Sequence, residues 1–144
     1  MSKLSYKIVT TDREREGAFE VRRKVFIEEQ GISEELGLDG HDSEALHMVV
    51  KDGKIVIGTA RVLFLAKGQA KIERMAVLKP FRRKGIGGRI ISFLSEELKK
   101  KQVERVFLHA QYPVIAFYKS VGFRGQPSPF WEAGIKHIKM QRIL

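Results

Sequence analysis

Apolar positions recur along this chain with two spacings, one typical of strands and one typical of helices. Residues 5–10 alternate as a short strand does, whereas Ala18, Val21 and Val25 recur at the spacing of one helical face. The same reasoning predicts strands over 45–51, 54–66, 69–78, 103–110 and 135–144, and helices over 88–101 and 114–120. The predicted order is therefore β-α-loop-β-β-β-α-β-α-β, with no internal repeat.

Glycine and proline separate these elements. The pair Asp52-Gly53 is a strong hairpin signal between the second and third strands. Pro80 ends the strand that precedes it, because proline cannot donate to a sheet ladder. Two polar stretches, 31–43 and 124–134, are predicted to be loops.

The length and composition indicate one globular domain. The 144 residues are enough to close a single core, so we expect one domain over 1–144. The proportions of 43% hydrophobic and 31% charged residues are ordinary for a soluble protein. No apolar run approaches the length of a membrane span, and the first residues lack the apolar core of a signal peptide. We therefore expect a cytoplasmic protein.

Charge and cysteine content narrow the chemistry. The sequence has no cysteine, which excludes disulfides, thiolate metal sites and a cysteine nucleophile. Its four histidines lack the close pairing of a metal-binding helix, so no metal is expected. The formal net charge of +10 favours an anionic partner, and nucleic acid, an acidic surface and a polyphosphate cofactor all fit it.

A basic, glycine-rich turn follows the strand over 69–78 and opens the next helix. Its sequence is Arg82-Arg83-Lys84-Gly85-Ile86-Gly87-Gly88. Glycine lets the backbone approach phosphate oxygens closely, and the first N–H groups of a helix add the positive end of its dipole. The turn lacks the ending of a Walker loop and the glycine spacing of dinucleotide-binding folds. We predict a phosphate-binding loop, the alternative being a plain solvated turn.

Two neighbouring segments are candidates for chemistry. The strand over 72–77 runs directly into the glycine turn, and if it splayed from its neighbour its backbone could pair with an extended amide-bearing ligand. An ordinary core strand is the alternative. Tyr118 lies in a short helix before the Gly122 turn and could give a proton to a departing thiolate. The alternative there is a half-buried tyrosine with its hydroxyl at the surface.

These motifs together resemble those of the GNAT N-acetyltransferase superfamily. The spacing Arg82-x-x-Gly85-x-Gly87 matches its Gln/Arg-x-x-Gly-x-Gly/Ala signature, and residues 75–77 and 117–123 stand in the expected order. The resemblance covers essentially the whole chain. It implies an α/β (α+β) fold with a central mixed, mostly antiparallel sheet flanked by helices. It also implies an enzyme that moves an acetyl group from acetyl-CoA to a primary amine.

The resemblance also implies roles for individual residues. Tyr118 matches the usual general acid, and the amine attacks the thioester directly, so no enzyme nucleophile is needed. Ten residues are implied to bind acetyl-CoA, the first three at the pantetheine arm and thioester through their backbone and the rest around the pyrophosphate: Met75, Ala76, Val77, Arg82, Arg83, Lys84, Gly85, Ile86, Gly87 and Gly88.

Other segments narrow the resemblance. Residues 22–30 are similar to a branch of small bacterial acetyltransferases with unassigned substrates, and residues 132–140 also resemble the glyphosate N-acetyltransferases. In the latter, the histidine that matches His137 is the general base, and Arg22 matches a substrate-binding arginine. Glu73 departs from that pattern, since those enzymes have an arginine there that binds the acidic group of the substrate. This departure argues against an equally anionic small substrate.

A proton acceptor is needed, because an amine with a pKa of about 10 is mostly protonated at neutral pH. His137 is the first candidate, since imidazole titrates at about pH 6.5. Glu73 is the second, acting through water, with a structural salt bridge to Arg74 or Lys71 as its alternative. His47 and His109 are more typical of histidines on a sheet face.

Four carboxylates lie in the polar stretch before the second strand: Glu34, Glu35, Asp39 and Asp42. A solvated loop is the preferred interpretation, and a lid that attracts a cationic amine is the alternative.

Two other classes of function stay open. A CoA-binding sensor without turnover would keep the phosphate loop, and a basic nucleic-acid-binding module would use the charge of residues 99–101. The second lacks any recognisable nucleic-acid-binding motif or aromatic stacking pattern. The acceptor could be a small molecule, an amino sugar or a peptide amine. A homodimer could form by pairing of the final strand.

Overall fold

A computed structural model describes residues 3–33 and 40–144. Its centre is an eight-stranded sheet. The strands are β1 (Leu4–Ile8), β2 (Leu46–Asp52), β3 (Ile55–Leu65), β4 (Gln69–Val77), β5 (Arg105–Gln111), β6 (Arg124–Gly125), β7 (Phe130–Glu132) and β8 (Ile135–Ile143). The expected mixed, mostly antiparallel sheet is confirmed: the spatial order is β1-β2-β3-β4-β5-β8-β6, and β7 also pairs with β8. Among the strands of the described residues, only β4 and β5 run parallel.

Helices flank the sheet. They are α1 (Asp12–Arg22), α2 (Ile86–Lys100) and α3 (Ile115–Ser120), with short 3₁₀ turns at Lys79–Phe81 and Tyr112–Val114. The hydroxyl of Thr11 caps α1 by accepting from the backbone N–H of Glu14. The first helix continues as a wider π-helical turn over Arg23–Glu29, where the N–H of Gln30 bonds to the carbonyl of Val25.

The two faces of the sheet bury different helices. The stripe Ile90, Ile91, Leu94 and Leu98 of α2 packs into the main core with Met140 and its neighbours. On the opposite side, Val21 and Val25 pack against Ala76 in a smaller cluster that includes Val56. Because successive strand residues face opposite sides, the sheet is covered by α2 on one side and by α1 on the other.

The structure corrects several sequence predictions. The second long helix begins at Ile86 rather than at residue 88, so the last three residues of the glycine turn, 86–88, belong to its first helical turn. The predicted loop 124–134 contains β6 and β7, which are too short to show alternation. The final strand has neighbours on both edges, β5 on one and β6 with β7 on the other, so the described strand offers little free edge for pairing across a dimer.

The carboxylate loop and the absence of a membrane span were also expected from the sequence. Glu34, Glu35 and Asp39 of the predicted carboxylate loop lie outside the described residues. Within the described ranges, no helix combines the length and the apolar character that crossing a membrane requires.

Helix α1 lies unusually close to β3 because residue 17 is glycine. A Cβ built on Gly17 would lie 2.5 Å from Cγ2 of Val56, closer than real Cβ contacts come. The glycine therefore sets the distance between α1 and the sheet. That distance in turn sets where the side chains of α1 lie over the sheet.

Gly17→Ala should lower the free energy of unfolding by about 1–2 kcal/mol, because the overpacking outweighs the gain of about 1 kcal/mol in helix propensity. Urea denaturation measures it, with exposed Arg15→Ala as the control. Adding Val56→Ala should recover part of the loss, since it removes the colliding methyl groups. A Gly17→Ala variant as stable as the wild type would contradict this account of the packing.

Candidate active site

One cleft of about 1090 Å³ contains almost every residue singled out from the sequence. Its walls come from α1 and the π-helical turn, from β4 and β5, from the start of α2 and from α3. Of the predicted site residues, these line it: Arg22, Glu73, Met75, Ala76, Val77, Arg82, Arg83, Gly85, Ile86, Gly87, Gly88, Tyr118 and His137. Lys84 is the exception, with its ammonium nitrogen 5.8 Å from the ring centre of Phe81.

The cleft exists because β4 and β5 part. They pair only from Gln69 with Arg105 to Lys71 with Phe107, and no further β4–β5 pair follows in the described chain. The hypothesis that the strand over 72–77 splays from its neighbour is therefore confirmed. Its backbone beyond Lys71 borders open space on the β5 side and is available to an extended ligand.

A β-bulge bends β4 at the same level. Thr59 pairs with Ala76 and Arg61 with Glu73, so one residue of β3 faces two residues of β4. Arg74, one of those two, has a φ of 52°, in the left-handed region. The bulge turns the last part of β4 toward the mouth of α2.

The glycine turn presents the backbone of α2 to the cleft. Gly85 has a φ of 79°, which glycine adopts without strain, and none of the described side chains caps the helix there. The first intrahelical bond runs from the N–H of Arg89 to the carbonyl of Gly85. The preceding N–H groups, those of residues 86–88, are therefore directed at the open end of the helix.

Gly87 makes room at this point. A Cβ on Gly87 would lie 3.0 Å from Cζ of Phe117, a side chain of α3. The glycine therefore lets α3 pack closely against the first turn of α2. A large side chain would displace the ring or fill the cradle, which is the space in front of the N–H groups of residues 86–88.

Arg82 is held by the protein rather than directed into the cradle. Its Nε donates to the carbonyl of Val77 at 2.8 Å, and its terminal nitrogens bind the carboxylate of Glu29 in the π-helical turn. The hydrogen bonds and charge of the partner lower the pKa of Glu29 and raise that of Arg82. The pair links the π-helical turn after α1 to the glycine turn.

Tyr118 lies in the cleft near the start of α2. Its ring packs edge-on against Phe117 and Phe123, with ring centres 5.0 and 5.8 Å away. Burial raises the pKa of the Tyr118 phenol to about 12, so it stays protonated at neutral pH.

His137 on β8 has a defined tautomer. Its Nδ1 donates to the carbonyl of Ile135 at 2.7 Å, and its ring stacks on Phe130 at 5.8 Å. Because a carbonyl oxygen only accepts, the proton of the neutral ring is on Nδ1 and the lone pair is on Nε2. The ring is buried yet borders the cleft.

A chain of alternating charges lies beneath the other half of the cleft. Asp42 accepts from Arg22 at 2.8 Å and from Arg61 at 3.1 Å. Arg61 also binds Glu73, which in turn binds Lys71 at 2.7 Å. The Arg61 side chain is fully buried. This Arg61 network ties α1, the loop before β2, β3 and β4 together.

The network changes the acid–base properties of its carboxylates. Burial alone would raise the pKa of Glu73, but the hydrogen bonds and charges of Lys71 and Arg61 outweigh it, so the pKa is lowered. The same balance, with Arg22 and Arg61 as donors, lowers the pKa of Asp42. Glu73 is therefore a weaker base than an unpaired glutamate.

Two of the other three histidines, His47 and His109, contact the residues around the cleft in different ways. His47 is buried and donates from Nε2 to the backbone carbonyl of Asp42 at 2.9 Å, so it supports the loop that carries that carboxylate. His109 borders the cleft and contacts Glu132.

Sequence reasoning missed the roles of Arg61 and Glu132, whereas the salt bridge of Glu73 with Lys71 is one that it considered and that the structure contains. A signal for Arg61 was available, because it is the single charged residue in the apolar run of β3, and a buried charge needs partners. The partners themselves lie on other elements, and their spacing in the sequence gives no indication of them.

Arg61→Met should lower the free energy of unfolding at neutral pH by about 3–5 kcal/mol, because it leaves two carboxylates without their shared cation. Denaturation in urea measures it, with exposed Arg105→Met as the matched control. Asp42 and Glu73 have lowered pKa values in the folded chain, so their stabilisation is present at neutral pH and is lost as pH falls through those values. The difference in free energy of unfolding between the wild type and Arg61→Met should therefore become smaller at acid pH. A deficit that does not depend on pH would contradict this.

Comparison with known proteins identifies the family. The family model of the acetyltransferase (GNAT) domain matches residues 9–144. The uncharacterized N-acetyltransferase YjcF of Bacillus subtilis (strain 168) is 34% identical over 136 residues, covering 94% of this chain and 96% of that protein.

Two solved structures share the fold. An acyl-CoA N-acyltransferase from Pseudomonas aeruginosa has a TM-score of 0.84 at 24% identity over 99% of both chains. A GNAT family acetyltransferase from Elizabethkingia anophelis with acetyl-CoA bound has a TM-score of 0.75 at 18% identity over 98% of both chains. The chain therefore belongs to the GNAT acetyltransferase family and is an N-acetyltransferase.

Proposed function

We propose that this protein transfers the acetyl group of acetyl-CoA to a primary amine of a small molecule, an amino sugar or a peptide. The observation that carries the proposal is the position of the cradle: the open amides of α2 lie at the end of the splayed strand, in the same cleft as Tyr118 and His137. An elongated donor with a diphosphate at one end and a thioester at the other fits that arrangement.

The diphosphate would be held mainly by backbone. The N–H groups of residues 86–88 and the helix dipole favour anionic oxygens. Gly85 and Gly87 keep that space free of side chains. Arg83, which also borders the cleft, adds charge, whereas Arg82 fixes the loop through Glu29. The GNAT acetyltransferase that was solved with acetyl-CoA bound supports the choice of donor.

The pantetheine arm would lie along β4. Its amides are the kind of group that pairs with a strand, and the backbone of residues 75–77 borders the cleft on the side where β5 has parted. The thioester would then lie between β4 and β5. Bound acetyl-CoA supplies a carbonyl carbon that the amine attacks, so that a C–N bond forms as the C–S bond breaks.

Tyr118 would act on the sulfur. With a pKa of about 12, its hydroxyl holds its proton more tightly than a thiol, whose pKa is about 8.5, so full proton transfer to a thiolate is unfavourable. The hydroxyl instead donates a hydrogen bond that stabilises the negative charge developing on the sulfur.

His137 would accept a proton from the nitrogen as the amide forms. Its Nδ1–H is committed to the Ile135 carbonyl, which leaves Nε2 as the basic atom. That proton can then pass to the sulfur, so the histidine ends the cycle neutral. Glu73 remains the second candidate, but its lowered pKa makes it the weaker base.

The acceptor would enter beside the Arg61 network. Arg22 borders the cleft there, and its guanidinium binds Asp42 at 2.8 and 3.3 Å. An acceptor with a carboxylate would compete with Asp42 for Arg22. This agrees with the argument from Glu73 against a strongly anionic substrate, and the likeness to the glyphosate N-acetyltransferases stays a prediction.

Gly87→Trp should abolish binding of acetyl-CoA in isothermal titration calorimetry, because the indole would occupy the cradle. Ser92→Trp, at an exposed position of the same helix, is the matched control and should bind as the wild type does. Thermal melts confirm that both variants fold. Unchanged affinity in a folded Gly87→Trp variant would show that the diphosphate binds elsewhere.

Tyr118→Phe should lower kcat by about 10²-fold with little change in acetyl-CoA affinity, because the lost hydrogen bond forms only as the sulfur leaves. Release of free CoA follows the reaction with glucosamine, putrescine, tyramine and a tripeptide of alanine, with acetyl-CoA alone as the blank. Equal turnover would remove Tyr118 from the mechanism. If the wild type binds acetyl-CoA but acetylates none of these amines, the proposed acceptor classes fail.

A further inference from the structure

The cleft contains a second imidazole, that of His109, which has no role in the proposed transfer so far. His109 lies on β5, two residues beyond Phe107, where the pairing of β5 with β4 ends. Its Nδ1 lies 2.9 Å from Oε2 of Glu132 on β7, and both residues border the cleft. The side chains are 25% and 45% exposed, so the pair reaches both the cleft and the solvent.

The carboxylate sets the tautomer of this ring. An ionised Glu132 accepts only, so Nδ1 of His109 is the donor and Nε2 carries the lone pair in the neutral ring. The ring also packs edge-on against Phe130, with centres 4.8 Å apart. A base held in orientation by a third group, here the carboxylate of Glu132, is an arrangement that recurs in catalytic sites.

Acetylation of an amine requires two proton losses from the same nitrogen. An ammonium group has no lone pair, so one proton must leave before attack, and a second must leave as the amide forms. The second can go to the departing sulfur, but the first is released to water in the balanced reaction. A base that communicates with solvent suits the first loss.

We propose that His109, positioned by Glu132, takes the first proton from the acceptor ammonium and passes it to water. This inference rests on the proposed function. The N–H bond of the ammonium breaks, its electron pair stays on nitrogen, and a new bond forms from the proton to Nε2 of His109. The positive charge moves to the imidazolium beside Glu132, and water then removes the proton.

His137 does not suit this first step. It is 6% exposed, and its face is covered by the stacked ring of Phe130. Phe130 contacts both imidazoles, which places the exposed base and the buried base on the same side of the cleft. His109 therefore takes the proton that must reach solvent, and His137 takes the proton that stays in the site.

Charged groups on three neighbouring strands act on His109. Glu132 on β7 and Glu73 on β4 favour its protonated form, Lys71 on β4 opposes it, and β8 contributes His137 and Lys139 to the same face. Burial is the largest effect and, with Lys71, it lowers the pKa of His109 against the opposing hydrogen bond of Glu132. The ring is therefore neutral at neutral pH and ready to accept a proton.

The test uses the full chain and whichever of the four panel amines the wild type acetylates fastest. His109→Gln should lower kcat/KM at neutral pH by about 10²-fold. The deficit should shrink as pH rises toward the pKa of the amine, because the free amine then needs no base. His41→Gln, which removes a histidine paired with Glu44 outside the cleft, is the matched control and should match the wild type.

Two further variants separate catalysis from structure. Glu132→Gln should move the acid limb of the pH profile of kcat/KM to lower pH, because it removes a group that raises the pKa of His109. Lys71→Met should move the limb to higher pH for the opposite reason. Opposite displacements, together with rescue of His109→Gln at high pH, are the expected result.

Other outcomes overturn the inference. A His109→Gln deficit that is equal at every pH would make the role structural. Acid limbs that stay in place in both other variants would exclude His109 as the titrating base. Either result with an active wild type leaves acetyl transfer intact, whereas a wild type inactive on all four amines overturns the proposed function and the inference together.

Discussion

The parting of β4 from β5 is the constraint on which the rest of the structure depends. A sheet that stayed paired beyond Lys71 would have no cleft, and its backbone groups would be consumed by the ladder. Two features accompany the parting: β4 has a bulge at Arg74, and α2, which connects the two strands in sequence, begins at the open end. The strand edge that ordinary sheets must protect is here kept open within the fold.

The half of the cleft above the Arg61 network is built on buried charge rather than on apolar packing. Burying an ion costs several kcal/mol, and pairing it with an opposite charge does little more than offset that cost. The Arg61 network therefore contributes little net stability, but it fixes the geometry of the residues that it joins. Arg61 is shared by two carboxylates that come from different elements, Asp42 and Glu73. Displacing any one of them removes a partner from its neighbour, so the members of the network constrain one another's positions.

The sequence was sufficient for the parts of the molecule that depend on local pattern. The long strands, the stripe on α2 and the glycine turn each have a period or a spacing that short-range physics dictates. It was insufficient where partners come from distant elements: no spacing relates Arg61 to Asp42, or His109 to Glu132. The two-residue strand Arg124–Gly125 is likewise too short for a period and exists only because β8 lies beside it. The start of α2 was predicted two residues too late, because Gly87 and Gly88 are poor helix formers.

The pairing of Arg82 with Glu29 has a consequence for how the protein uses its excess of positive charge. The guanidinium of Arg82 is already paired with a carboxylate of the same chain. What would remain to hold an anion is mainly the set of main-chain N–H groups of residues 86–88, with Arg83 beside them. Under the proposed function, the net charge of +10 would act mainly on how fast a polyanionic donor arrives, and short-range contacts at the helix mouth would hold it.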